Sequence, residues 1–241
     1  MRRLVSPVLL AGEIDAVIVD LDGTMVDTLG DFTVALNRML ADLALPAGAL
    51  REVAPSAVEG FVGKGSEHLV QSVLAHVLQP AGDEASGSAA LFFDDAFRRY
   101  QSHYHAINGQ HAAVYAGVEE GLQAMLNAGL ALACLTNKPL AFAQALLKLK
   151  GLDRFFSQVF GGDSFARKKP DPLPLVNTCE ALGTVPARTL MLGDSSNDAQ
   201  AARGAGCPVV LVSYGYNHGV PVAQVDADGV VASLADLRWQ A

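Results

Sequence analysis

Ala16-Val17-Ile18-Val19 runs without a break into Asp20-Leu21-Asp22-Gly23-Thr24. Apolar side chains at successive positions, most of them β-branched, read as a short strand buried on both faces, the pattern of a parallel sheet. The polar cluster that ends it falls where open parallel sheets hold their ligands, beyond the carboxyl ends of the strands. Three further runs behave the same way. Residues 130–135 lead into Thr136-Asn137-Lys138, residues 189–192 lead into Gly193-Asp194-Ser195-Ser196-Asn197-Asp198, and residues 208–212 form a fourth run. Helical patterns at 141–150 and 172–182 lie between them and stop at Gly151 and Gly183. Strand alternating with helix predicts an α/β fold, a Rossmann-like and mostly parallel sheet.

The spacing is uneven. After the first strand the chain travels from Asp20 to Thr136 before the next clear strand ends, several times the ~30 residues that one crossover needs. The intervening segment carries amphipathic helical patterns at 32–45 and 91–105, joined by the low-complexity link Ala81-Gly82-Asp83-Glu84-Ala85-Ser86-Gly87-Ser88. The economical reading is a helical domain at 29–110 inserted into a discontinuous α/β core of 1–28 and 111–241.

Composition narrows the function. With 17 Lys+Arg against 25 Asp+Glu, a net charge of −8 argues against nucleic acid and anionic membrane surfaces as partners. A 51% hydrophobic content is enough for a packed core and excludes wholesale disorder. Cys134, Cys179 and Cys207 are odd in number and form no CxxC pair, which fits a reducing compartment without a disulfide framework. The start, Met1-Arg2-Arg3-Leu4, resembles a leader, but Pro7, Gly12, Glu13 and Asp15 interrupt its apolar run. No apolar stretch reaches the ~18 residues of a membrane span, so a cytoplasmic protein is expected. The sequence leaves a monomer and a small homo-oligomer equally open.

The residue types at the strand ends specify a chemistry. Asp20 and Asp194 would bring two carboxylates together, and like charges repel unless a cation intervenes. Mg²⁺ suits such oxygen ligands. Thr136 and Asn137 offer uncharged donors and Lys169 a point charge, groups that neutralise phosphoryl oxygens. Asp22, two residues from Asp20 on extended backbone, can point the same way. Of two such carboxylates one can act as nucleophile and the other as general acid and base. Gly23 allows a sharp turn beside the ligand.

Asp20-Leu21-Asp22-Gly23-Thr24-Met25-Val26-Asp27, Thr136, Lys169-Pro170 and Gly193-Asp194-Ser195-Ser196-Asn197-Asp198 resemble, in order and spacing, the four motifs of the haloacid dehalogenase superfamily. The insertion lies where that superfamily carries its helical cap of the first class. The resemblance implies that Asp20 attacks phosphorus and Asp22 protonates the leaving alcohol, then activates the hydrolytic water. It further implies that Thr136 and Lys169 bind the phosphoryl group. Mg²⁺ would be held by Asp20, the Asp22 carbonyl and Asp194, with Asp198 in support. A second Asp at position 22 disfavours the superfamily's dehalogenases and phosphonoacetaldehyde hydrolases. Phe61-Val62-Gly63-Lys64-Gly65-Ser66, Leu135-Thr136-Asn137-Lys138-Pro139, Lys168-Lys169-Pro170-Asp171-Pro172 and Tyr214-Gly215-Tyr216-Asn217-His218-Gly219 are similar to the phosphoglycolate phosphatases. Ala116 stands where those enzymes carry Pro, and Met25 where they carry Leu, both read as packing changes. That likeness implies a small phosphorylated metabolite, 2-phosphoglycolate, as substrate, with Lys64 offered to its carboxylate and a cap that opens across linkers near Thr28 and Gln110. The alternatives are another capped member, either a broad sugar-phosphate phosphatase or a β-phosphoglucomutase, and a non-catalytic Mg²⁺-binding phosphoacceptor domain.

Other residues take plainer readings. Asp27 and Asp31 are expected to cap the first inserted helix, and Lys168 to be a solvated neighbour of Lys169. Gly63-Lys64-Gly65-Ser66 fails as a Walker loop, since Val58 stands where a Gly is needed and Gly65 follows the lysine. His103 and His105 face apart on a helix and find no third ligand. His218 is expected to be structural or to sit at the site's rim, and Cys134 to be an inert thiol inside a buried strand.

Overall fold

The computed structural model describes residues 3–6, 13–81 and 89–240. Positions 1–2 and 7–12 of the leader-like start, and 82–88 of the low-complexity link, lie outside the described residues. The chain divides into two compact units, Thr28–Ala112 and, discontinuously, Met1–Asp27 with Ala113–Ala241. No helix among the described residues is long and apolar enough to cross a membrane.

The inserted unit contains α1 (Leu29–Asp42), α2 (Pro55–Glu59), α3 (Ser66–Leu78) and α4 (Ala89–Ile107). Phe32, Leu36, Met39 and Leu40 on α1, and Leu69, Val73 and Val77 on α3, recur at the three- and four-residue spacing of one helix face, and all are buried. Each such side chain contributes about 1.5–3 kcal/mol on leaving water. Tyr100 and Tyr104 of α4 complete this core, and Tyr104 stacks on Phe32 at 5.5 Å.

Helix α1 stops short of the expected Leu45. Leu43 turns to extended backbone (ψ 139°), three residues ahead of Pro46, whose ring keeps the preceding residue out of the helical region. At the other end α1 begins at Leu29, so Asp31 lies inside its first turn, and the expectation that Asp31 caps the helix is corrected. Its carboxylate is fully buried and accepts from the backbone N–H of Gly109 (2.6 Å) and of His111 (2.7 Å), joining the entry of the unit to its exit.

The second unit holds the sheet. Its strands are β1 (Arg3–Ser6), β2 (Ala16–Val19), β3 (Val26–Asp27), β4 (Ala113–Val114), β5 (Ala131–Leu135), β6 (Gln158–Phe160), β7 (Thr189–Gly193), β8 (Val209–Val212), β9 (Gly229–Val231) and β10 (Arg238–Gln240). Helices α5 (Val118–Asn127), α6 (Leu140–Leu149), α7 (Leu173–Ala181) and α8 (Ser196–Ala205) connect them. Six strands form one sheet in the order β6-β5-β2-β7-β8-β9, every neighbouring pair parallel. The four expected strands are β2, β5, β7 and β8, while the three-residue edge strands β6 and β9 were not anticipated. Two short antiparallel pairs, β1–β10 and β3–β4, stand apart from the sheet.

Ile18, Met191 and Leu211, from three adjacent strands, pack into one cluster with Leu175 and Cys179 of α7 and Ala199 and Ala202 of α8. The connections step outward from β2 through β5 to β6 on one side and return to β7 and β8 on the other. That reversal beside β2 is the topological switch point at which doubly wound sheets open a crevice.

Candidate active site

Four segments meet at the carboxyl ends of the central strands. Asp20 directly follows β2 and its N–H donates to Leu192 O of β7 (2.9 Å). The next residues fold back at once: Met25 N and Val26 N both donate to Leu21 O, and Gly23 N donates to Val26 O. Thr136, Asn137 and Lys138 follow β5, with Thr136 N held by Phe160 O (3.0 Å). Lys169 arrives from the loop after β6. Asp194 follows β7, and Asp198 sits in the first turn of α8.

Lys169 is the hub. It is almost fully buried, and its Nζ donates to Asp198 Oδ1 (2.7 Å) and to Leu135 O (2.8 Å) and lies 2.9 Å from Asp20 Oδ1. Burial works against its charge, but Asp198 and Asp20 outweigh burial and hold the ammonium protonated above its ordinary range. Lys168 is only partly buried, so Lys169 is the inward-facing lysine of the pair. The Asn137 side-chain amide donates to Lys169 O (2.7 Å), which fixes the loop that delivers the ammonium.

Asp198 is held on both sides. Its Oδ1 takes Lys169, and its Oδ2 accepts from Asp194 N and Ser195 N (both 3.2 Å) and from Ser195 Oγ (2.9 Å). Closing back onto its own helix start, as in a capping box, makes it a strut for the turn that carries Asp194. Asp194 accepts from Thr24 Oγ1 (3.2 Å) and Tyr216 N (2.5 Å). Tyr216 also donates its hydroxyl to Asp27, so Asp27 is a strand-side acceptor and not the helix cap expected of it.

Gly23 and Gly215 make room for Asp194. Gly23 has φ +83°, and a Cβ there would stand 2.3 Å from Asp194 Oδ2 and 2.8 Å from the Tyr216 ring; one on Gly215 would stand 2.4 Å from the same oxygen. Gly23→Ala therefore combines a left-handed backbone penalty with a clash against a fixed carboxylate. It is expected to cost about 1–3 kcal/mol, a melting temperature lower by roughly 2–12 °C for a chain of this size. An unchanged melt would show that the loop absorbs the methyl group.

Asp20, Asp194 and Asp198 each present an oxygen within 4.8 Å of the others, and all three are buried. Burial above all pushes the Asp20 carboxyl up to about 7, and repulsion from Asp198 and Asp22 adds to this against the opposing pull of Lys169. Burial, then Asp198 and Asp20, push Asp194 well above the usual carboxylate range. The Lys169 contact with Asp20 Oδ1 is an ion pair outside hydrogen-bond geometry, so that buried oxygen has no hydrogen-bond donor. An all-oxygen, strongly negative donor set with an unsatisfied buried oxygen fits a hard divalent cation such as Mg²⁺. Asp20 and Asp194 suit the ligand role: each Asp194 oxygen accepts a single neutral hydrogen bond, whereas Asp198 pairs one oxygen with the Lys169 ammonium and takes three donors on the other.

The sequence assigned no role to Lys138. Its Nζ donates to both oxygens of Asp22, at 2.7 and 3.0 Å. Thr136 Oγ1 in turn accepts from Lys138 N (3.1 Å). Thr24 and Tyr216, the residues that seat Asp194, were also missed as site residues. Each stood in a quoted motif, but nothing local distinguished its side chain.

Of the remaining candidates, Lys64 lies in the inserted unit, exposed, between Gly63 and Gly65, which both have positive φ. His103 Nε2 pairs with Asp42 Oδ2 (2.7 Å), and no metal-type cluster among the described residues includes His103 or His105. His218 Nε2 lies 3.2 Å from the Asn197 amide nitrogen. Cys134 is buried in β5, where burial first and then Asp20 push its thiol up, away from the reactive thiolate.

The model of the family described as haloacid dehalogenase-like hydrolase matches residues 17–212. A phosphoglycolate phosphatase of Thiobacillus denitrificans is 43% identical over 223 residues, covering 92% of this chain and 93% of its own. A plasmid-encoded phosphoglycolate phosphatase of Cupriavidus necator is also 43% identical, with 92% and 90% covered. Among solved structures, that of a "predicted phosphoglycolate phosphatase" from Haemophilus somnus superposes with a TM-score of 0.84 at 32% identity, over 94% of this chain and 97% of the other.

Proposed function

The chain belongs to the haloacid dehalogenase-like hydrolases, and we propose that it is a Mg²⁺-dependent phosphatase whose substrate is 2-phosphoglycolate. The relatives that carry the phosphoglycolate phosphatase name support the substrate. One observation carries the chemistry: Asp20, Asp194 and Asp198 converge within 4.8 Å while Lys169 bridges Asp20 and Asp198.

Asp20 is the nucleophile. Its oxygen forms a bond to phosphorus as the ester P–O bond breaks, and the electron pair leaves with the alcohol oxygen. Asp22 gives that oxygen a proton, so glycolate departs as the alcohol. Asp22 then takes a proton from water as the water oxygen attacks phosphorus, which frees inorganic phosphate and restores the Asp20 carboxylate. Thr136 donates its hydroxyl to a phosphoryl oxygen, and Lys169 holds Asp20 in place while offsetting negative charge. Asn137 acts through Lys169, which its amide orients. Asp20, the Asp22 backbone carbonyl and Asp194 would hold Mg²⁺, which supplies Lewis-acid neutralisation of the phosphoryl oxygens. The inserted unit takes the part of a substrate-selecting cap, with Lys64 as its cation for the leaving group. Three free cysteines favour a cytoplasmic setting.

A panel of phosphate monoesters assayed in Mg²⁺ and in EDTA tests the reading. The expected result is the highest kcat/KM for 2-phosphoglycolate, with turnover lost in EDTA and restored by Mg²⁺. A neutral sugar phosphate that outperforms phosphoglycolate would remove the substrate assignment, and full turnover in EDTA would remove the metal.

A further inference from the structure

The two donors that hold Asp194 both lead back to one short segment. Thr24 Oγ1 donates directly to Asp194 Oδ1 (3.2 Å). Tyr216 N donates to Asp194 Oδ2 (2.5 Å), and the Tyr216 hydroxyl donates in turn to Asp27 Oδ1. Thr24 and Asp27 stand three residues apart, so the Asp194 carboxylate closes a ring that runs through Thr24, Met25, Val26, Asp27 and Tyr216. Neighbouring contacts stiffen this ring. Met25 N and Val26 N are both held by Leu21 O, and Val26 and Asp27 pair with β4. The Tyr214 hydroxyl donates to Thr24 O (2.9 Å), and its ring lies 4.3 Å from that of Tyr115, whose N–H donates to Met25 O (3.1 Å). Tyr216 itself is buried. Burial first, then the Asp27 contact, push its hydroxyl above the ordinary tyrosine range, so it stays a donor at every working pH.

We propose that Tyr216 and Asp27 are positioning residues for the metal: their contact fixes the plane in which Asp194 offers its oxygens to Mg²⁺. The inference rests on the reading of Asp194 as a Mg²⁺ ligand. It adds a pair outside the ligand set that governs the affinity, and gives that pair a place in the chain. Asp27 is the last residue before the inserted unit, and its partner in β4, Ala113, is the first after it. Mg²⁺ affinity therefore depends on the two points where the chain leaves and re-enters the sheet-bearing unit.

Carboxylate orientation matters to a small, hard cation. Mg²⁺ tolerates little departure from octahedral geometry, so a ligand already turned the right way saves the cost of ordering it. Thr24 alone would fix one oxygen and let the carboxylate swing about it. The second donor, Tyr216 N, removes that freedom only while residue 216 keeps its position. Gly215 precedes it and gives the backbone little stiffness of its own, so the far end of the Tyr216 side chain, on Asp27, supplies the anchor. Outer partners of this kind orient metal ligands generally, and their loss typically costs about 10–100-fold in metal affinity.

The test titrates Mg²⁺ calorimetrically into the full chain after EDTA treatment and dialysis. Tyr216→Phe, which removes only the hydroxyl, should raise the Mg²⁺ Kd about tenfold. Asp27→Ala should raise it as much, and the double variant no further, because both substitutions remove one and the same contact. Asp27→Asn keeps an Oδ1 acceptor and should recover most of the affinity lost in Asp27→Ala. Losses that multiply in the double variant, or an asparagine no better than alanine, overturn the shared contact. An unchanged Kd in Tyr216→Phe overturns this proposal alone. Wild-type binding that is absent, or that persists undiminished in Asp194→Asn, overturns the metal reading and this proposal with it. Thermal melts separate positioning from folding. At one fixed Mg²⁺ concentration, the rise of each variant's melting temperature above its own value in EDTA should shrink in Tyr216→Phe and Asp27→Ala. A lower melt in EDTA with the wild-type rise intact would mean a structural role only and would overturn the positioning role.

Discussion

Asp20→Asn is expected to leave no measurable phosphatase activity, a loss of at least about 10⁴-fold in kcat. Asparagine keeps the volume and the backbone turn after β2, but its amide does not form a bond to phosphorus as a carboxylate does. Acid quenching during turnover should trap phosphorylated protein with the wild type and none with the variant. The same substitution should stabilise the protein in EDTA. Asp20 has its carboxyl raised from an ordinary 3.8 to about 7, chiefly by burial, so the folded state binds its proton more tightly than the unfolded state. The folded protein therefore loses stability as pH rises from about 4 through 7, by a few kcal/mol at one pKa unit per ~1.4 kcal/mol. Asparagine carries no such penalty, so the variant should melt higher than wild type at pH 8 and match it near pH 4. Residual turnover would remove Asp20 as nucleophile, and a lower melt at pH 8 would contradict the charge crowding around it.

The fold was legible where side-chain burial leaves a mark on local sequence. Strands β2, β5, β7 and β8 lie inside the sheet, so their residues are apolar at consecutive positions. Gln158-Val159-Phe160 and Gly229-Val230-Val231 sit at the two edges with three residues each and are only partly buried, which leaves no periodic signal to read. The site divides in the same way. That Asp20, Thr136 and Asp194 stand together follows from their place at strand ends. What each side chain touches does not: Lys138 and Asp22 are 116 residues apart, and Thr24 and Asp194 170. Asp31 shows the limit most clearly. Next to a helix start its residue type reads as a cap, yet its acceptors face the backbone at Gly109 and His111, a contact set by packing within the inserted unit.

Lys169→Met should be the most destabilising of the substitutions considered. Methionine fills the lysine's volume but leaves Asp20, Asp198 and the Leu135 carbonyl, all buried, without their shared cation. Removing one partner of a buried pair typically costs about 3–5 kcal/mol, which for a chain of this size is a melting temperature lower by roughly 6–20 °C. The pH dependence separates charge from packing. Lys169 is one of the influences that lower the Asp20 pKa, so without it that carboxyl moves further above about 7. Near pH 5 Asp20 is already protonated in the folded protein with or without the lysine, and part of the deficit is absent. As pH rises toward 8 the Asp20 carboxyl must ionise or hold its proton against the solution, and the deficit grows. Thermal melts in EDTA at pH 5 and pH 8 should therefore show a clearly larger gap between variant and wild type at pH 8. Equal gaps would mean that the lysine stem packs the site and that its charge contributes little, which would also remove the electrostatic reason for placing Lys169 beside Asp20.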